Sequence, residues 1–188
     1  IIPCRGTDAF RPFRVAVKVQ TSHNTRRRRA LRYEKMMYRL MTELVERRIC
    51  PFRLRSYDMQ EPENVLLTET YPGMCTLKKF LNQRLTQRDT HYLMIQLLYA
   101  LETNWRLGLR HNDLHPNNVF VKSCRGFNLK LTYLDRNNGQ HVITMPRCRF
   151  VILMFDNDRA TKLSARPVCG QKCLTPKNRI FKMGHDSR

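Results

Sequence analysis

Acidic residues are scarce in this chain. Asp and Glu number 15 against 35 Lys and Arg, a formal net charge of +20 over 188 residues. That imbalance excludes a neutral surface and sets up a field that attracts polyanions, whether nucleic acid, anionic membrane or acidic protein. Long apolar runs are missing as well. No stretch approaches the roughly 20 residues needed to cross a bilayer, and no charged-then-apolar leader opens the chain, so the expectation is a soluble, intracellular protein with no membrane span. Glycine is sparse: Gly6 is the only one before Lys18, and G-x-G-x-x-G occurs nowhere. A glycine-rich phosphate loop is therefore not expected within these residues. Cysteine is present in an odd number, seven, and only Cys169 and Cys173 lie close together, as C-x3-C. No second Cys/His pair follows at a zinc-site spacing, so free thiols in a reducing compartment are the better reading.

The hydrophobic content of 41% suffices for one real core, and the length argues for one domain. Chemistry concentrates in two segments. His111 to Asn118 reads HNDLHPNN, and Met154 to Ala160 reads MFDNDRA. They supply Asp113, Asn118 and, at the end of an apolar run, Asp156. Phosphoryl transfer asks little covalent chemistry of a protein. It needs a carboxylate to orient the attacking hydroxyl, and oxygen ligands to hold Mg²⁺ on the phosphates. Asp113 suits the first task, Asn118 and Asp156 the second, since Mg²⁺ takes few protein ligands and keeps water and phosphate in its other positions.

HNDLHPNN resembles the H-R-D-L-x-x-x-N catalytic loop of protein kinases, Asp156 stands where their D-F-G aspartate stands, and Val15-Ala16-Val17-Lys18 is similar to their V-A-I-K strand. All three occur in family order. Within that superfamily the HNDLH and DxDRA forms are similar to the serine/threonine kinases of large DNA viruses, iridoviruses and ascoviruses, and the 38 positions from Asn118 to Asp156 are an insertion in the same direction. The resemblance implies an α+β, two-lobed kinase-like fold, truncated, without the Gly-rich loop and much of the C-lobe. Residues 1–71 would form part of an N-lobe, 68–73 the hinge, and 74–188 a partial C-lobe. The implied cofactors are ATP and Mg²⁺, the implied partner is a protein substrate phosphorylated on Ser or Thr, and the implied location is host cytoplasm, nucleus or the virion.

Residue roles follow from the same likeness. Lys18, beside Ala16, would hold the ATP phosphates, and Glu34 would be its partner, with Glu43 and Glu46 as rival carboxylates on the same helix. Thr68 would guard the back pocket, the backbone of Glu69 and Tyr71 would meet the adenine edge, and Phe120 would line the adenine floor. His111 would pack and hydrogen-bond the loop. His115 departs from the protein-kinase pattern, which usually has Lys there, and is similar to the HxDLHxxN loops of small-molecule phosphotransferases; a His can donate to phosphate. Asn157 and Asp158 replace Phe and Gly of D-F-G. A basic interaction module without strong catalysis, a pseudokinase, is the reading that the absent Gly loop favours.

Local patterns predict the elements. Phe13 to Val19, Phe52 to Tyr57 and Val65 to Tyr71 read as strands, the last ended by Pro72-Gly73. Leu31, Met36, Met37, Leu40, Met41, Leu44 and Val45 recur at helical spacing over about 27–48. Arg26, Arg27, Arg28 and Arg29 sit at its start, either a solvated face or a polyanion contact. Thr76 begins a short helix. Thr86 with Asp89 forms the signature of a capping box opening a helix to about Leu107, whose Leu93, Ile95, Leu97, Leu98, Leu101 and Trp105 are expected in the core. Val119 to Lys122, Asn128 to Asp135, His141 to Met145 and Arg149 to Phe155 read as strands, with a hairpin turn at Asn137-Asn138-Gly139. Cys169 to Arg188 is expected to be a remnant of the substrate-binding segment.

Overall fold

The computed structural model describes residues 14–21, 25–57, 64–134 and 139–162, without the side chains of 25–29, 134 and 158. Expectations for Gly6, Asn137, Asn138, the Asp158 side chain, Cys169 and Cys173 lie outside the described residues.

The chain begins with β1 (Val15–Val19), crosses into the long α1 (Thr25–Glu46), and returns through β2 (Ser56–Tyr57) and β3 (Val65–Glu69). These strands form one antiparallel sheet in the order β1-β3-β2. Opposed residues on an antiparallel pair share a face. The register Ala16↔Thr68 and Lys18↔Leu66 therefore puts Ala16, Lys18 and Thr68 on one side of the sheet. Helix α1 buries Leu31, Glu34, Met37, Tyr38, Met41 and Leu44, a stripe at three- and four-residue steps. Met36 lies about half a turn from the centre of that stripe and is exposed.

Below the sheet come β4 (Cys75–Thr76), the short α2 (Leu77–Leu81), α3 (Gln87–Arg106) and β5 (Leu109–Arg110). Thr76 caps α2 by accepting from the Lys79 amide. Thr86 caps α3 within a full capping box. Gly108 follows the helix with φ +66°, a left-handed conformation that glycine adopts without steric cost. Two long strands follow, β6 (Val119–Leu134) and β7 (Gln140–Met154), then β8 (Thr161–Lys162), which pairs with β5. The four short strands expected between 119 and 155 are thus two continuous ones. The predicted breaks at 123–128 are register shifts, bulges within the pairing, rather than ends of strands. The segment expected as a strand from Phe52 is regular only at 56–57. Its first part instead lies along the end of β7, with Met154 N donating to Phe52 O at 3.0 Å and Leu54 N to Met154 O at 3.1 Å. This crossing joins the two halves of the core.

Helix α3 corrects the sequence reading. Leu98 and Trp105, expected in the core, are 59% and 62% exposed. The face that packs inward carries Asp89, Leu93, Gln96, Ala100 and Asn104. Three of those are polar because the backbone and a cation beneath them need partners. Gln96 accepts from Ile152 N at 3.0 Å and donates to Phe150 O at 3.3 Å, while Asn104 accepts from the buried guanidinium of Arg53. Apolar spacing chose the greasier face; hydrogen-bond demand chose the buried one. No helix among the described residues is long and apolar enough to cross a membrane.

Candidate active site

The loop between β5 and β6 holds HNDLHPNN, and its shape comes from its own polar side chains. Asn118 N donates to His115 O at 2.8 Å, closing a turn. Asn118 Nδ2 donates to Asp113 O at 3.0 Å and lies 3.4 Å from Asp113 Oδ2, so the amide nitrogen is committed and Oδ1 remains the group free to act as a ligand. The His115 ring accepts from Asn117 N through Nδ1 at 3.2 Å. An accepting Nδ1 puts the proton of the neutral ring on Nε2, and Nε2 lies 4.0 Å from Asp113 Oδ2. His111 is buried, and its Nε2 donates to Phe155 O at 2.7 Å. Its position is that of a brace.

Asp156 reaches this loop through strand pairing. Val119 opposes Met154, and Phe155 N donates to Asn118 O at 3.1 Å, which sets Asp156 next to Asn118 at one end of the β6–β7 pair. Asp156 itself is left-handed, φ 60° and ψ 65°, and its amide donates to the hydroxyl of Tyr38 on α1 at 2.9 Å. A non-glycine residue held there costs about 1–3 kcal/mol, and Arg48, Asn112 and Arg147 share the left-handed conformation. Asn118 and Asp156 thus offer an amide oxygen and a carboxylate, the hard donors that Mg²⁺ takes. No cluster of three His, Cys, Asp or Glu side chains suited to a metal occurs among the described residues.

Lys18 crosses to α1 and meets Glu34, with Nζ 2.8 Å from both carboxylate oxygens. Of the three candidate carboxylates, Glu34 is the one on the buried stripe; Glu43 pairs instead with Arg47 at 2.6 Å. Thr68 is buried at the centre of the sheet. Glu69 is buried too, and Arg55 holds its carboxylate through the backbone N at 3.0 Å and Nε at 2.9 Å. The Glu69 amide donates to Arg55 O at 2.9 Å, so this residue has no backbone donor left for a base edge. Tyr71 donates its hydroxyl to Glu69 Oε2, and burial first, then the neighbouring carboxylate, push the phenol well above its usual range. The Lys122 ammonium sits 3.3 Å over the Tyr71 ring. Phe120 is half-buried and stacks on Phe155, ring centroids 3.8 Å apart.

The structure therefore gathers the expected residues into two groups: Ala16, Lys18, Glu34 and Thr68 on the upper sheet and helix, and Asp113, His115, Asn118 and Asp156 on the loop below. Spacing did not reveal Arg55, Tyr38, Asn112 or Arg159. Asn112, buried and left-handed at φ 61°, donates Nδ2 to Arg159 O at 3.0 Å and Thr161 Oγ1 at 2.9 Å. Arg159 Nη1 lies 3.3 Å from Asp113 Oδ1. The Asn between His111 and Asp113 was the visible signal, since the motif it resembles has Arg in that position.

No protein-family model and no curated protein sequence matches the chain. Among solved structures it is similar to the kinase domain of PF14_0431, with TM-score 0.55 and 17% identity over 82% of this chain and 46% of that one. Less similar is Rio2 kinase from Chaetomium thermophilum in an ADP/Mg²⁺-phosphoaspartate complex, TM-score 0.43 and 9% identity over 73% of this chain and 33% of that one. The fold is thus α+β and kinase-like, and the chain spans about half the length of the kinase-domain structure it matches.

Proposed function

We propose that the chain is an ATP- and Mg²⁺-dependent phosphotransferase of the protein-kinase type, acting on Ser or Thr of protein substrates and allied to the kinases of large DNA viruses. The observation that carries the reading is the joint between Asn118 and Asp156: the bond from Phe155 N to Asn118 O brings the two residues together at one end of the β6–β7 pair, and Asn118 Nδ2 donates to Asp113 O. In this reading Asp113 orients the acceptor hydroxyl and takes its proton. Lys18, kept in place by Glu34, binds phosphate. Asn118 and Asp156 hold Mg²⁺, which supplies charge neutralisation on the phosphates. Ala16, Thr68, Tyr71 and Phe120 line the nucleotide.

Calorimetry with Mg²⁺·ATP tests the site: Asp156→Ala is expected to abolish the Mg²⁺ dependence of binding, and equal affinity of both proteins would sink the metal assignment. Asp113→Asn is expected to lower phosphate transfer by about 10²- to 10⁴-fold, the scale of a positioned general base, with binding nearly intact. His115, standing where protein kinases usually have Lys, supports a second reading in which the acceptor is a small molecule. Binding without transfer to any acceptor would make the protein a pseudokinase.

A further inference from the structure

We infer that Arg159 is a further catalytic residue of this site: a cation that binds the terminal phosphate of the nucleotide. This role rests on the phosphotransferase reading above.

Arg159 lies on the short 3-10 turn Asn157–Arg159 directly after Asp156. Its side chain is 58% exposed, and its ion pair with Asp113, whose side chain is 21% exposed, spans 3.3 Å. A pair so open to water contributes little to stability. The support beneath it is nevertheless elaborate. Asn112 bonds the Arg159 carbonyl and the Thr161 hydroxyl. Arg110 pairs with Thr161 across β5–β8, and Ala160 N donates to Asn157 O. Asn112 accepts the cost of a left-handed backbone to make these bonds. The result is an Arg159 backbone held where its guanidinium stands beside the one carboxylate that would meet the acceptor.

Distance then decides what the guanidinium can reach. In transfer, the acceptor oxygen bonds to the γ-phosphorus as the bond from phosphorus to the β–γ bridging oxygen breaks. ADP leaves with that electron pair, and the hydroxyl proton passes to Asp113. An acceptor oxygen within hydrogen-bond reach of Asp113 is about 3 Å from it and about 3–3.5 Å from the phosphorus. A guanidinium already touching Asp113 is therefore near enough for rotation of its long side chain to carry it to the equatorial phosphate oxygens. When the acceptor hydroxyl takes Asp113 Oδ1, it releases Arg159 donors toward those oxygens, where charge is concentrated and where arginine's fork fits. Lys18 stands on the other element group, so Arg159 adds a cation on the side of the acceptor.

The test compares Mg²⁺·ATP with Mg²⁺·ADP by calorimetry on the full chain, for wild type, Arg159→Ala, Arg159→Lys and the remote control Arg106→Ala. The expected result is a wild-type preference for ATP that Arg159→Ala lowers about tenfold, the scale of one hydrogen bond to a charged group, with ADP affinity unchanged. Arg159→Lys should recover part of it, and Arg106→Ala should leave the preference intact. An unchanged ATP-to-ADP ratio overturns the inference while leaving the nucleotide site standing. So does equal loss of both nucleotides, which would mark Arg159 as structural, or faster phosphate transfer by Arg159→Ala, which would mark it as a latch on Asp113. A wild type that binds neither nucleotide overturns the phosphotransferase reading, and the role of Arg159 with it.

Discussion

Lys18 and Glu34 meet across 16 positions of sequence with both oxygens 2.8 Å from the ammonium, yet they sit in different media: the lysine side chain is 53% exposed and the glutamate 4%. The asymmetry defines the pair. Glu34 is fixed in the core stripe of α1, and Lys18 comes to it with about half of its side chain exposed.

Breaking the pair from one side leaves a buried carboxylate short of a donor, whereas replacing both partners removes the problem. Lys18→Met is therefore expected to lower stability by about 1–2 kcal/mol, and Lys18→Met with Glu34→Leu to regain most of it. Nucleotide affinity should fall in both. Thermal melts and calorimetry on the same samples check this; a double variant as unstable as the single one would show that Glu34 serves other contacts.

Asn157 makes the opposite prediction. It is fully buried, and neither Oδ1 nor Nδ2 of its side chain has a hydrogen-bond partner among the described residues. A buried amide left unsatisfied costs about 1–3 kcal/mol. Asn157→Leu, similar in size, should raise stability by about 1 kcal/mol or more in denaturant unfolding. A loss instead would reveal that the amide is paired in solution, through water or a ligand.

Much of this was legible because local rules and long-range packing agreed. Thr86 and Asp89 announced the start of α3, Gly108 its end, and the helical spacing of Leu31, Met37, Met41 and Leu44 the inward face of α1. Asp113, Asn118 and Asp156 were singled out by type and order, and strand pairing brings the three together. The failures share one cause. Leu98 and Trp105 were placed inside by hydrophobicity, but the β7 backbone and Arg53 demanded Gln96 and Asn104 on the buried face. The pairs Arg159–Asp113 and Arg55–Glu69 were invisible because their members lie 46 and 14 positions apart, with no periodicity to link them; Arg159 was read instead as a partner for Asp158.

Asp89 ties stability to pH. Burial alone would raise its carboxyl, but hydrogen bonds from Thr86 and Arg149 outweigh that and hold it below the usual range. The hydrogen bonds are short: Thr86 Oγ1 at 2.7 Å and Arg149 Nη2 at 2.6 Å. A depressed folded value means the stabilisation is complete above the unfolded pKa, about 3.9, and is lost as pH falls through the lower folded value. Asp89→Asn should thus cost about 1 kcal/mol at pH 7, the usual worth of a helix cap, and the gap from wild type should close below about pH 4. Urea unfolding at a series of pH values reads it directly. A gap that stays constant down to pH 2 would assign the effect to shape rather than charge.

The last prediction concerns the charge. At +20 the chain should bind DNA or RNA without sequence preference, because Lys and Arg side chains release counterions from the phosphate backbone and need not read base edges. Arg26 to Arg29 form the densest basic run, and their backbone opens α1, although their side chains lie outside the described residues. Changing all four to Gln should flatten the dependence of log affinity on log salt by up to about 0.9 for each phosphate that is no longer neutralised. Fluorescence anisotropy with a labelled duplex across a salt series measures the slope. An unchanged slope would make the run a solvated helix start, and no binding by the wild type near physiological salt would reserve the excess charge for acidic protein partners, the kind of substrate a basic phosphotransferase would draw in.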